Sequence, residues 1–257
     1  MTTERRLVYS IKAESISHSR KPNALTCPSS LPTLASLAFT AALAGCASVP
    51  SGPPIEAPRL AVGDHWQYRI TDNLRRGALS QLDAEVVAVS GPAARVRFTL
   101  ADAYGGRAEW VDEFEGGALR TGSVWREPPR ILETPVQLLA FPLTDGKTWR
   151  QTVPTFRRDT DNPDQILVYG RVDGRQTASV PAGAFAALYV YRVLQLDDDQ
   201  FWRTRTTRRD AIWYAPEVKA PVREAREAEY TELGGQDMAT VTTESTVAEL
   251  VSYRPGR

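Results

Sequence analysis

Over most of residues 65–250 the apolar residues recur at every second position, in short runs closed by glycine and proline. Period-two alternation puts successive side chains on opposite faces of an extended strand, so each run has one face to bury and one to wet. Trp66, Tyr68 and Ile70 alternate with His65, Gln67 and Arg69. Leu82, Ala84, Val86 and Ala88 form a second run, stopped at Ser90-Gly91-Pro92. Val96, Phe98 and Leu100 form a third. Gly105-Gly106 turns the chain into Trp110–Phe114, and Gly116-Gly117 turns it towards 119–125. Such spacing predicts an antiparallel meander.

Pro128-Pro129 ends that rhythm. Thr134 before Pro135 fits a cap followed by a first helical position, which predicts a short helix over 135–140. Residues 141–146 read as a turn into Trp149, and residues 155–164 as a charged loop. Strands resume at 166–172, 176–180, 187–196, 201–207 and 210–214, with a tight turn at Val180-Pro181-Ala182-Gly183. Residues 222–230 and 238–250 predict a final hairpin across Gly234-Gly235, although the Glu/Arg/Ala-rich 223–229 also fits a helical turn. The predicted fold is mainly β: a single antiparallel curved sheet or half-barrel with at most one or two short helices, over residues 59–257, without internal repeats.

Ahead of this domain lies an uncharged run, Leu31 to Ala44, rich in Leu and Ala and preceded by Arg20 and Lys21. A cationic flank, a short apolar stretch and a small-residue site describe an export leader. A membrane-spanning helix fits poorly, since fifteen residues rise only about 22 Å against a hydrocarbon core of roughly 30 Å. The run ends in Leu43-Ala44-Gly45-Cys46, which resembles the lipobox of bacterial lipoproteins. That resemblance implies a Cys46 carrying two or three acyl chains, each buried methylene contributing about 0.8 kcal/mol of membrane affinity. Ala47 stands where an Asp would hold some lipoproteins at the inner membrane, so the resemblance implies the outer membrane, facing the periplasm. The chain then divides into a leader at 1–45, longer than the usual length of roughly 15–30 residues, a Pro/Ser-rich tether at 46–58 and a β domain at 59–257.

Of 31 basic and 31 acidic residues the leader takes five and two, leaving a mature chain of 212 residues with net charge −3. A nucleic-acid partner, which needs a basic surplus, is not expected. Cys27 leaves with the leader and Cys46 is the acylation point, so no thiol remains for a disulfide or a Cys-based metal site. His18 is lost as well, leaving His65 alone. No metal and no cofactor are expected.

The motifs that could carry chemistry are weak. Gly146-Lys147-Thr148 resembles the end of a phosphate loop, but position 141 is Phe where that loop needs Gly. Asp159, Asp161 and Asp164 lack the Gly and Glu of a calcium loop. Asp197-Asp198-Asp199 reads as a hairpin tip. Asp64 cannot readily orient His65, its neighbour on the opposite strand face. Glu109 and Glu113 form a carboxylate pair of no specificity. There is no Gly-x-Ser-x-Gly elbow and no His-Glu-x-x-His helix. No catalytic residue is assigned.

Four motifs in order, Gly63-Asp64-x-Trp66-x-Tyr68, Phe141-Pro142-Leu143-x-x-Gly146-x-x-Trp149, Val180-Pro181-Ala182-Gly183-x-Phe185 and Trp213-Tyr214-x-Pro216, resemble a family of functionally uncharacterised, β-rich bacterial envelope lipoproteins. The resemblance implies a curved antiparallel sheet, loosely similar to the half-barrels of lipoprotein carriers, and no catalytic residues. Trp66, Tyr68, Phe98, Trp110 and Trp213 are either core filling or the apolar face of a ligand site. Arg203 and Arg205, on one predicted strand face, could bind anionic headgroups or pair with Asp197–Asp199. The expectation is a non-enzymatic, membrane-anchored envelope lipoprotein that binds a hydrophobic ligand (a lipid or acyl chain) or an envelope partner. A docking scaffold or assembly factor is the alternative, and a hydrolase a distant one.

Overall fold

The computed structural model describes residues 52–122, 131–156, 163–198, 200–234 and 238–257. The lipobox, Trp125, Asp159, Asp161 and Asp199 lie outside them. Thirteen strands are described: β1 His65–Asp72, β2 Ala78–Ser90, β3 Ala93–Ala101, β4 Arg107–Glu115, β5 Ala118–Thr121, β6 Ile131–Leu132, β7 Val136–Gln137, β8 Thr148–Phe156, β9 Pro163–Val180, β10 Gly183–Leu196, β11 Thr207–Ala215, β12 Ala220–Glu232 and β13 Ala239–Arg254. All pair antiparallel in one sheet, ordered β6-β8-β9-β10-β11-β12-β13-β1-β2-β3-β4-β5-β7. The last strand therefore hydrogen-bonds the first, and the sheet bends until its two outer ends approach each other.

Side chains bridge that seam. Trp149 Nε1 on β8 donates to the Gln137 carbonyl on β7 at 3.0 Å, and Gln151 Oε1 accepts from Gln137 N at 2.8 Å. Gln151 Nε2 donates to the Pro135 carbonyl at 2.9 Å. The expected half-barrel is thus nearly closed, with side chains spanning the seam where, among the described residues, strand pairing on the outer side of β8 is limited to Ile131 and Leu132. Gly170 makes the seam possible: it faces Trp149 across the β8–β9 pair, and a Cβ there would fall inside the indole.

The same contacts explain a correction. Residues 135–140 are not helical; Val136–Gln137 pairs with β5, and Leu139 N donates to the Gly117 carbonyl at 3.1 Å. A helix would turn these backbone groups inward on itself, and one of six residues barely repays its nucleation. The expected strand over 201–207 is also corrected, since strand begins only at Thr207. The preceding segment folds around the buried Asp198 carboxylate, which accepts from Thr206 N at 2.6 Å and Thr206 Oγ1 at 2.8 Å. Residues 166–180 are one long strand rather than two, with Asp173 as the extra residue of a bulge opposite Tyr189/Val190. The 223–229 stretch is strand β12. The described residues contain no α-helix, only short 3₁₀ turns at Asn73–Arg75 and Pro216–Val218.

Inward positions build the core. Val86, Val222 and Leu250 pack with Trp66 towards one end. Leu119, Val153, Ile166 and Leu194 pack beneath the seam, and Leu143, Val172, Leu188 and Ile212 form a third cluster that shares Trp149 with the second.

Candidate functional site

The barrel does not fill its interior. A half-enclosed cavity of about 320 Å³ remains in the lumen, near the low end of the range of roughly 300–1,000 Å³ for small-molecule sites. One wall is apolar and comes from β1–β4: Trp66, Tyr68, Ile70, Leu82, Ala84, Val96, Phe98 and Phe114, joined by Leu60 and Phe141. The rest of the lining, from β10, β12 and β13, with β13 paired to β1, carries Arg192, Glu224, Arg226, Glu244 and Thr246.

The end of the cavity near Trp66 is closed by polar stitches between β1 and the β11–β12 turn. Trp66 Nε1 donates to the Val218 carbonyl at 2.7 Å, and the Tyr68 hydroxyl to the Pro221 carbonyl at 2.9 Å. Asp64, fully buried, accepts from Lys219 Nζ at 2.9 and 3.1 Å, the Tyr253 hydroxyl at 3.0 Å, Gly256 N at 2.8 Å and Ala61 N at 2.8 Å. Burial alone would raise the Asp64 pKa, but the Lys219 ammonium and the N–H and O–H donors outweigh it and hold the carboxyl below the ordinary range. Burial and the adjacent carboxylate together push the Tyr253 hydroxyl up to about 12. The Gly63-Asp64-x-Trp66-x-Tyr68 motif is therefore the floor of the lumen. His65 faces away from it, 3.4 Å from Asp83.

The charged wall is a matched network. Arg192 Nη2 lies 2.8 Å from Asp210 and 3.1 Å from Glu224, and Arg192 Nη1 donates to the Leu138 carbonyl at 3.1 Å. Arg208 lies 2.9 Å from Asp210, and Arg226 Nε donates to Glu224 at 3.0 Å. Thr246 Oγ1 donates to Glu244 at 3.2 Å. Burial would raise both Asp210 and Glu224, but the guanidiniums (Arg208 and Arg192 at Asp210, Arg226 and Arg192 at Glu224) keep both below the usual carboxylate range. Three cations face three carboxylates, so the network carries no net charge.

The structure separates the expected site residues. Trp66, Tyr68 and Phe98 line the cavity. Trp110 does not: it stacks on Phe98, with centroids 5.3 Å apart, and is 37% exposed. Trp213 does not either. It packs on Tyr189 at 5.0 Å, under the Arg223 guanidinium, and donates to Gln176 Oε1 at 3.0 Å. Because Tyr189 alternates with the buried Leu188 and Val190, this cluster sits on the opposite sheet face. Arg203 is engaged by Asp198 at 3.1 Å and lies over the Trp202 and Tyr230 rings. Arg203 and Arg205 precede strand β11, so they share no strand face. The Lys147 ammonium donates to the Ala140 and Pro142 carbonyls, which makes Gly146-Lys147-Thr148 a turn anchor.

Sequence reading missed the charged network, and a signal for it existed. In β12 the inward frame set by Val222 continues through Glu224, Arg226 and Ala228. In β11 the frame set by Ile212 and Tyr214 runs back through Asp210 and Arg208. Charges in phase with buried residues, rather than out of phase, were the mark.

No protein-family model matches the chain, and no curated protein matches it. Solved structures resemble it at low identity. A provisionally described exported protein with a YmcC-like fold from Bacteroides fragilis aligns at 14% identity over 79% of this chain and 100% of its own, with a TM-score of 0.45. A provisionally described lipoprotein from Parabacteroides distasonis aligns at 12% identity over 79% and 100%, TM-score 0.46. The hypothetical lipoprotein YmcC from Escherichia coli aligns at 8% identity over 75% and 85%, TM-score 0.39.

Proposed function

We propose that the chain is a non-enzymatic envelope lipoprotein, acylated at Cys46 and held at the outer membrane, whose barrel lumen takes the apolar part of a lipid or acyl-chain ligand. The observation that carries this reading is the cavity of about 320 Å³ with one aromatic and aliphatic wall. Filling it with an acyl chain removes apolar surface from water, at roughly 25 cal/mol per Å². The leader and lipobox support the compartment: an anchored domain beside a bilayer meets acyl chains at high local concentration. Lipid extraction and mass spectrometry of a Cys46→Ser protein purified without detergent test the lumen, with a co-purifying acyl-chain lipid expected. Recovery of none, together with no uptake of added fatty acid, would remove the proposal. Radiolabelled palmitate incorporated by the natural chain and not by Cys46→Ser tests the anchor.

A second reading, a docking scaffold, rests on an exposed apolar tip. Phe201 is 93% exposed and Met238 77%, and Leu233 N donates to the Trp202 carbonyl at 2.6 Å. A cross-link formed in cells from position 201, absent in Phe201→Ser and unchanged by lumen substitutions, would favour that reading.

A further inference from the structure

The cations that line the cavity differ in what they leave available. Lys219 is held by Asp64, and Arg192 is divided among Asp210, Glu224 and the Leu138 carbonyl. Arg226 donates through Nε to Glu224, yet its side chain remains 40% accessible. It lies on the inward frame of β12 and lines the cavity, so that accessible surface is turned to the lumen. Among the described residues, no acceptor meets its Nη atoms. A guanidinium with its outer donors open, next to an apolar wall, is half of a recognition site.

Polarity also runs in a direction. Along β12 the inward residues are Val222, then Glu224, then Arg226. Along β13, paired with it, they are Leu250 and Ala248, then Thr246 and Glu244. Both strands pass from apolar near the Trp66 floor to charged towards their shared hairpin. An occupant lying along them meets carbon at one end and ions at the other.

Resting on the reading of the lumen as an acyl-chain site, we infer that Arg226 receives the head of that ligand, and that the head is a monoanionic oxyanion, a carboxylate or a phosphodiester. The planar guanidinium offers two parallel donors to such a group. Glu224 and Glu244 stand in the same wall and disfavour a dianion. A head without charge would leave the donors of Arg226 unmatched in a confined space, which costs affinity. The tail then lies against Tyr68 and Phe98, pointing to Trp66.

The test uses the full chain with Cys46→Ser, a fluorescent polyene fatty acid (parinaric acid) and its methyl ester, read by energy transfer from tryptophan. The acid is expected to bind about tenfold or more tighter than the ester. In Arg226→Met this preference closes through loss on the acid side, and Arg226→Lys, which keeps the charge without the fork, falls between. Near-UV circular dichroism confirms folding; if Arg226→Met does not fold, Arg226→Lys and Arg226→Gln carry the comparison. Competition by oleate against lysophosphatidylglycerol tells a carboxylate head from a phosphodiester, and preference for either supports the inference. Equal binding of acid and ester by the natural lumen, or equal loss of both in the Arg226 variants, overturns it while leaving the lumen reading intact. Binding of neither probe removes both.

Discussion

The two walls of the lumen are both made of antiparallel strands with the same alternation, yet they are held by different physics. The β1–β4 wall buries mainly aromatic and aliphatic groups, and apart from the Trp66 and Tyr68 hydrogen bonds at its floor their contacts make no directional demands. The β10–β13 wall buries ions, each of which needs its partner. Substitution should therefore act in steps on the charged wall and by degrees on the apolar one. Burial of an ion pair contributes little net stability over apolar residues of the same size, but removing one member strands the other.

The largest expected effect is at Asp210, whose carboxylate lies 2.8 Å from Arg192 and 2.9 Å from Arg208. Asp210→Ala should cost about 3–5 kcal/mol, measured as a fall in the urea midpoint. A loss under about 1 kcal/mol, the usual size for an exposed pair, would show that water reaches the network and break the distinction between the walls.

Next comes the seam that brings the walls face to face. Gly170→Val places carbon where the Trp149 indole lies, and overpacking of this kind costs about 1–3 kcal/mol. Differential scanning calorimetry would read it, and retention of the natural Tm would mean that the indole moves without penalty.

On the apolar wall, Phe98→Leu keeps a hydrophobic group but loses the stack on Trp110. About 0.5–1.5 kcal/mol is expected from the aromatic pair, with cooperative unfolding retained. A loss as large as that of Asp210→Ala would contradict the graded behaviour assigned to this wall.

Acid separates the two ends of the lumen by a smaller effect. Asp64, Asp210 and Glu224 all have carboxyls held below their ordinary range by cations and donors in the folded state. A depressed folded pKa gives stability that is fully present above the unfolded value, about 4 for these groups, and is lost as pH falls through the folded value. Urea midpoints measured from pH 7 to pH 3 should stay level and then decline below about pH 4. Asp64→Asn should make that decline shallower; an unchanged acid limb would remove Asp64 from the account.

How much of this was legible in the sequence depends on what each residue must do. The strands followed from Trp66, Tyr68 and Ile70, or Val96 and Phe98, because alternation is a property of one strand alone. Closure was not legible, because the seam joins Trp149 and Gln151 to the backbone of Pro135 and Gln137, and no local pattern announces a bond to a distant segment. The helix expected over 135–140 failed for that reason: Pro135 and its flanks satisfy local helix rules that the seam overrides. Within the site, Trp66, Tyr68 and Phe98 were readable as inward aromatics. Trp213 was not separable from them, since its face is set by its register with Tyr189. The ions escaped notice because charge usually marks the wet face of a strand. Only the phase of Asp210, Glu224 and Arg226 relative to Ile212 and Val222 shows that here it does not.

The measurement that bears most directly on the lumen is crystallographic. Crystals of the Cys46→Ser chain grown with a terminally brominated fatty acid should give an anomalous peak inside the barrel, between Trp66 and Phe98, with the carboxylate at Arg226. A lumen without bromine, or bromine found only on the outer surface beside Phe201 and Trp202, would contradict the account.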